Sequence, residues 1–223
     1  MKFNSRFLLP ILGISVALSL GACTKLQSSS KPIDSSTTTP VSSETILSQN
    51  NGMMSGNHGM MMDLGPADTE YDLRFIDGMI PHHQGAIKMA EQVIQKSNNP
   101  ELKKLAEEII KAQEKEIAQM QEWRKTWYPE AKDAIVYHAA MGHSMSMSSA
   151  QMESMMMMAD LGAGDGGFDQ RFIQAMIPHH EGALIMAKDA QLKSKRPEIQ
   201  QLSQDILVSQ AAEIKLMKQW LKP

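Results

Sequence analysis

One stretch of this chain occurs twice at a fixed separation, and that duplication limits the folds open to it. Asp63-Leu64-Gly65 returns as Asp160-Leu161-Gly162, residues 72–90 return as 169–187, and the run from Pro100-Glu101 to Trp123 returns as Pro197-Glu198 to Trp220. The offset is 97 residues throughout, with no gap. Each copy reads as two helices. In the first copy they cover about 69–96 and 100–126, with Ser97-Asn98-Asn99 between them and Pro100 at the start of the second, where a missing N–H costs nothing. In the second copy they cover 167–195 and 197–221. Leu102, Leu105, Ala106, Ile109, Ile117, Met120 and Trp123 recur at intervals of three and four, which is one helical face. The alternation expected of strands is absent throughout. A lone hairpin of this size leaves its apolar stripe uncovered, so the expected fold is all-α: two repeated hairpins closing into one antiparallel four-helix bundle. Pairing of hairpins between chains is the alternative, giving a dimer in place of a monomer.

Residues 1–22 read as an export signal, because Lys2 and Arg6 precede an apolar run too short to span a bilayer. Leu20-Gly21-Ala22-Cys23 has the form of a bacterial lipoprotein cleavage box, which places a lipid on Cys23; ordinary cleavage near Ala22 is the alternative. Residues 23–52 are rich in Ser, Thr and Pro and read as a tether. The repeats then divide into 53–127, a Met and His loop with the first hairpin, 128–166, a Met and His linker, and 167–223, the second hairpin. Without Lys2 and Arg6 the formal charge moves from −3 to −5, and no basic block remains to hold nucleic acid.

The one Cys of the chain is taken up by the anchor, so metal chemistry falls to seven His, twenty Met and the carboxylates. Met79, His82, His83 and Met89 share one helical stripe, and Met176, His179, His180 and Met186 repeat it. Pro81 and Pro178 lie inside these helices, where a kink or break is expected. A lone His on such a stripe is usually a core residue, but two adjacent His with flanking Met, duplicated, fit a soft site for Cu(I) or its mimic Ag(I). Imidazoles alone also hold Cu(II). Residues equidistant from an antiparallel turn face each other, which sets Gln113 and Glu116 opposite the first His pair and Met120 opposite Met79. Gln210, Glu213 and Met217 match them in the second copy. The carboxylates read as acceptors that orient the imidazoles in preference to ligands. One Glu per copy is too few for a di-iron carboxylate site.

Thirteen of the twenty Met fall in the two segments before the first helix of each copy, outside the helical stripes. His58, Met60, Met61 and Met62 in one, and Met141, His143, Met145 and Met147 in the other, read as weak, exchangeable sites for soft ions. The bland alternative is that Met155 through Met158 begin a helix or plug the bundle end.

The pattern Asp-x-Arg-Phe-Ile-x-x-Met-Ile-Pro-His-His-x-Gly-Ala-x-x-Met-Ala, at 72–90 and again at 169–187, resembles a ferritin-like bacterial family labelled a domain of unknown function, and within it the periplasmic copper-binding resistance proteins. The resemblance implies a four-helix bundle, copper bound through Met and His, and a part in copper tolerance. The reading is therefore an envelope protein that sequesters copper or hands it to an efflux system or another envelope copper protein, and is not an enzyme. It touches the membrane only through its anchor. The rivals are a metal-dependent oxidase using the His pairs with Glu116 and Glu213, and a structural or partner-docking bundle that holds no metal.

Overall fold

The computed structural model describes residues 62–221. Four long helices dominate: α1 (Tyr71–Lys96), α2 (Pro100–Trp127), α4 (Phe168–Lys193) and α5 (Pro197–Trp220). Pro100 and Pro197 open α2 and α5, and the Asn99 side chain accepts hydrogen bonds from the backbone N–H groups of Glu101 and Leu102, capping α2. α1 pairs with α2 and α4 with α5, and the two hairpins meet along α1 and α4. The result is the all-α bundle of two repeated hairpins.

Two buried clusters fill it. One joins Ala86, Met89 and Val93 of α1 to Leu102 and Ile109 of α2 and to Phe168, Phe172 and Met176 of α4. The other joins Tyr71, Phe75 and Met79 of α1 to Ala183, Met186 and Ala190 of α4 and to Leu202 and Ile206 of α5. The start of α1 thus packs with the end of α4 and the reverse, so these helices run antiparallel about an approximate two-fold. The Met-Ile-Pro-His-His segments fall at its centre. Both helices continue through Pro81 and Pro178 without a break. Each proline removes one rung of a 26-residue ladder whose faces are buried on either side, and tertiary packing outweighs that loss.

The linker is not strand-free. β1 (Ile135–His138) and β2 (His143–Ser146) form an antiparallel hairpin with His138 opposite His143, turning at Gly142, whose φ is +71°. Four-residue strands are too short to show a period, and this hairpin is held from outside. Asp77 on α1 accepts from the Ile135 N–H at 2.9 Å and from Arg124 Nε at 2.6 Å, and the buried Arg74 donates to Ser144 Oγ at 2.8 Å. A short helix, α3 (Ser149–Met156), follows, opened by a reciprocal cap between Ser148 and Gln151. Among the described residues no helix is long and apolar enough to cross a membrane.

α3 seats its last turn on α1. The Met156 backbone lies against Gly85 so closely that a Cβ there would overlap its carbonyl group. Gly85→Ala is expected to destabilise the fold by about 1–3 kcal/mol even though Ala is the better helix former by roughly 1 kcal/mol. Urea unfolding with an unchanged midpoint would refute the contact.

Candidate metal centre

All four histidines of the duplicated motif are buried. The His82 and His179 rings meet across the two-fold with centroids 3.9 Å apart, and each stands edge-on to its neighbour, His83 at 6.4 Å and His180 at 6.2 Å. The imidazoles form a row in the order His83, His82, His179, His180. Its two ends are matched: His83 Nε2 lies 2.7 Å from Glu116 Oε2, and His180 Nε2 lies 2.6 Å from Glu213 Oε2. A carboxylate accepting the Nε2 proton leaves the neutral ring its lone pair on Nδ1, and the Nδ1 atoms of His83 and His180 are buried without a partner.

The middle of the row is electrostatically different. Burial first, and then the neighbouring His179, hold His82 well below the usual imidazole range. Burial, followed by the neighbouring His180, lowers His179 to about 3. Both rings are neutral at physiological pH and present nitrogen lone pairs in a buried interior. Gln113 and Gln210 are buried nearby on α2 and α5, each with an unpartnered Oε1. So many orphaned polar atoms in one layer carry a desolvation cost that a bound cation would offset.

Met79, Met89, Met120, Met176, Met186 and Met217 are all fully buried, but they are not one set. Met79, Met120 and Met186 belong to the cluster on one side of the row, and Met89, Met176 and Met217 to the cluster on the other. Each side therefore combines thioethers of both repeats, and Met79 is separated from Met89. Of the loop residues, Met62 and Met147 are buried, Met141, His143 and Met145 are exposed, and His58, Met60, Met61 and Cys23 lie outside the described residues. Met155 is core, beside Met79 and Met120, which agrees with the bland reading for that one residue; Met158 is exposed.

Two features escape the sequence reading. One is the meeting of His82 with His179, and the other is the Met156 carbonyl, which lies 3.1 Å from His179 Nε2. Gly85 and Gly182, each set soon after a His pair, were the available signal that something approaches the helix closely there. Among the described residues no three or more His, Cys, Asp or Glu side chains converge to hold a metal. Buried thioethers fill the clusters on either side of the row, and sulfur of this kind is a soft donor.

Residues 72–221 match the family described as "Domain of unknown function (DUF305)". The fold is similar to solved structures of CopM: the Cu(II)-bound form at 45% identity and a TM-score of 0.53, covering 67% of this chain and 94% of that one, and the Cu(I)-bound form at 40% identity and 0.51, with the same coverage of both. An Ag-bound form is similar at 41% identity and 0.53, covering 67% and 93%. A 49-residue stretch, 22% of this chain, is 41% identical to "Uncharacterized protein L153" of Acanthamoeba polyphaga mimivirus and spans 32% of that protein.

Proposed function

Because the chain belongs to the DUF305 family and its fold is similar to copper-bound and silver-bound forms of CopM, we propose that it binds copper as Cu(I), with Ag(I) as a mimic, and sequesters or hands on the ion in the cell envelope. The observation that carries this reading is the row of four buried imidazoles with unpartnered Nδ1 atoms, lined on both sides by buried thioethers. Neutral nitrogen and sulfur donors in a buried site favour a soft monovalent ion over a hard, more highly charged one. Cu(II) is a further guest through nitrogen alone.

This is a binding role and not a catalytic one. Glu116 and Glu213 stand at opposite ends of the row, each engaged with one His, so they orient the rings and do not bridge two metals as a di-iron oxidase requires. Envelope location rests on the export signal, with Cys23 as the lipid attachment point and a copper efflux system or another envelope copper protein as recipient. Titration of the purified protein against a Cu(I) chelator under reducing conditions is expected to show several ions per chain and no oxygen turnover. Failure to compete with even a weak chelator would end the sequestration reading.

A further inference from the structure

The outer surfaces of the two hairpins are not alike. Among the described residues α1 and α2 leave no large apolar side chain exposed, whereas α4 and α5 expose Ile185 (52%), Leu192 (86%), Val208 (63%) and Leu216 (36%). At the equivalent positions, 97 residues earlier, the first copy carries Lys88, Gln95, Lys111 and Gln119. The hairpin therefore folds without apolar groups at these sites, and its own stability does not account for them. Val208 and Leu216 are eight residues apart, about 80° around their helix, and form no stripe. Ile185 and Leu192 are seven apart and share one face of α4.

That face is the free side of α4, whose buried sides pack on α5 and α1. Gln174, Pro178, Glu181, Ile185, Lys188 and Leu192 recur along it at intervals of four and three, and all are exposed. This is the spacing with which one helix lies along another. Charge is ordered along the stripe as well. Glu181 stands before the apolar pair, Lys188 and Asp189 lie at its middle, and Lys193, Lys195 and Arg196 follow it. Met62 and Asp63 wall a groove against Ile185, Lys188, Asp189 and Leu192, which gives an incoming apolar side chain a seat.

We propose that the outer face of α4 is a self-association surface, through which two intact bundles dock as an antiparallel two-fold dimer. The charge order commits the face to a second copy. Two such helices meeting in parallel would set Glu181 against the partner's Glu181 and the basic run against itself. About a two-fold between residues 188 and 189, Ile185 instead packs on the partner's Leu192. Lys188 then lies beside the partner's Asp189, and Glu181 lies toward the partner's Lys195, each contact occurring twice. One helix face makes a small interface, so association is weak and depends on concentration. The His row faces the interior of each bundle, and docking at α4 leaves it untouched. The dimer therefore stands independently of the copper reading.

The test is sedimentation equilibrium of the purified, metal-free full chain from micromolar to millimolar concentration, with reductant present so that Cys23 cannot cross-link copies. The parent is expected to show a monomer–dimer equilibrium. Ile185→Lys/Leu192→Gln installs what the first copy carries at these positions. It should weaken the dimer about tenfold or more, with circular dichroism and urea midpoint unchanged. Glu181→Lys should weaken it severalfold, and adding Lys195→Glu should restore it by reversing the pair. A parent that stays monomeric throughout overturns the proposal, as does a dimer that Ile185→Lys/Leu192→Gln leaves intact. Equal weakening by the single and double charge reversals overturns the antiparallel register. Association that appears only after residues 24–61 are removed would give the face to that segment of the chain and overturn the dimer as well.

Discussion

Replacing His82, His83, His179 and His180 together with Ala is expected to abolish the tightest Cu(I) binding and to leave only weak uptake by exposed thioethers such as Met141 and Met145. The expected loss is roughly 1,000-fold or more in affinity, about 4 kcal/mol. The row is the only layer of the bundle where buried nitrogen lone pairs gather among the described residues, so no nearby group can substitute. Folding should survive. Each substitution empties volume, which costs stability, but it also removes a buried ring nitrogen that has no partner in the metal-free protein, and the two effects oppose each other. Glu116 and Glu213 would lose their His partners yet keep some access to water. His83→Gln/His180→Gln, which retains a donor for each carboxylate, separates ligand loss from fold loss. Chelator competition gives the affinity and circular dichroism the helix content. A variant that holds Cu(I) as tightly as the parent would move the main site into the Met-rich segments.

The repeat makes the hairpins legible because a hairpin is a local object. Asn99 and Pro100 fix the turn, the turn fixes the register, and the register sets residue 83 against 116 and 180 against 213, where the structure has its two His–Glu contacts. What joins the two hairpins is not local, and periodicity cannot supply it. A helical wheel shows that His82 faces inward without showing that it meets His179. The wheel also collapses distance along the axis: Met79 and Met89 share a stripe but stand ten residues apart, about 15 Å at 1.5 Å per residue, so one ion cannot reach both. The structure assigns them to opposite sides of the row. The β-hairpin was illegible for a different reason. Ile135-Val136-Tyr137 is strand-forming sequence, but its fixing points, Asp77 and Arg74, lie on α1 about sixty residues earlier. Met155 reads as one more loop thioether until α3 folds it into the core.

Acid should weaken the metal-free fold well before it weakens the metal site. His82 and His179 have folded pKa values depressed by burial, His179 to about 3, whereas in the unfolded chain both titrate near the ordinary 6.5. Below 6.5 the unfolded state binds protons that the native state does not. The stability these rings contribute is therefore complete above that pH and is lost as pH falls toward the folded values. Two such groups amount to about 3 kcal/mol between pH 7.5 and 5.5, a large share of a typical folding free energy. Urea unfolding of the metal-free protein at these two pH values measures it, and equal midpoints would contradict neutral burial of the pair. The same depression has the opposite consequence for Cu(I). In the folded chain both rings are already deprotonated across this window, so binding at them displaces no proton. Affinity measured with a pH-insensitive chelator should stay within about twofold from pH 7.5 to 5.5, where a site of exposed histidines would weaken about tenfold for each ring that must lose a proton. A steep fall in affinity over that range would place the ion on exposed imidazoles such as His143 instead of the buried row.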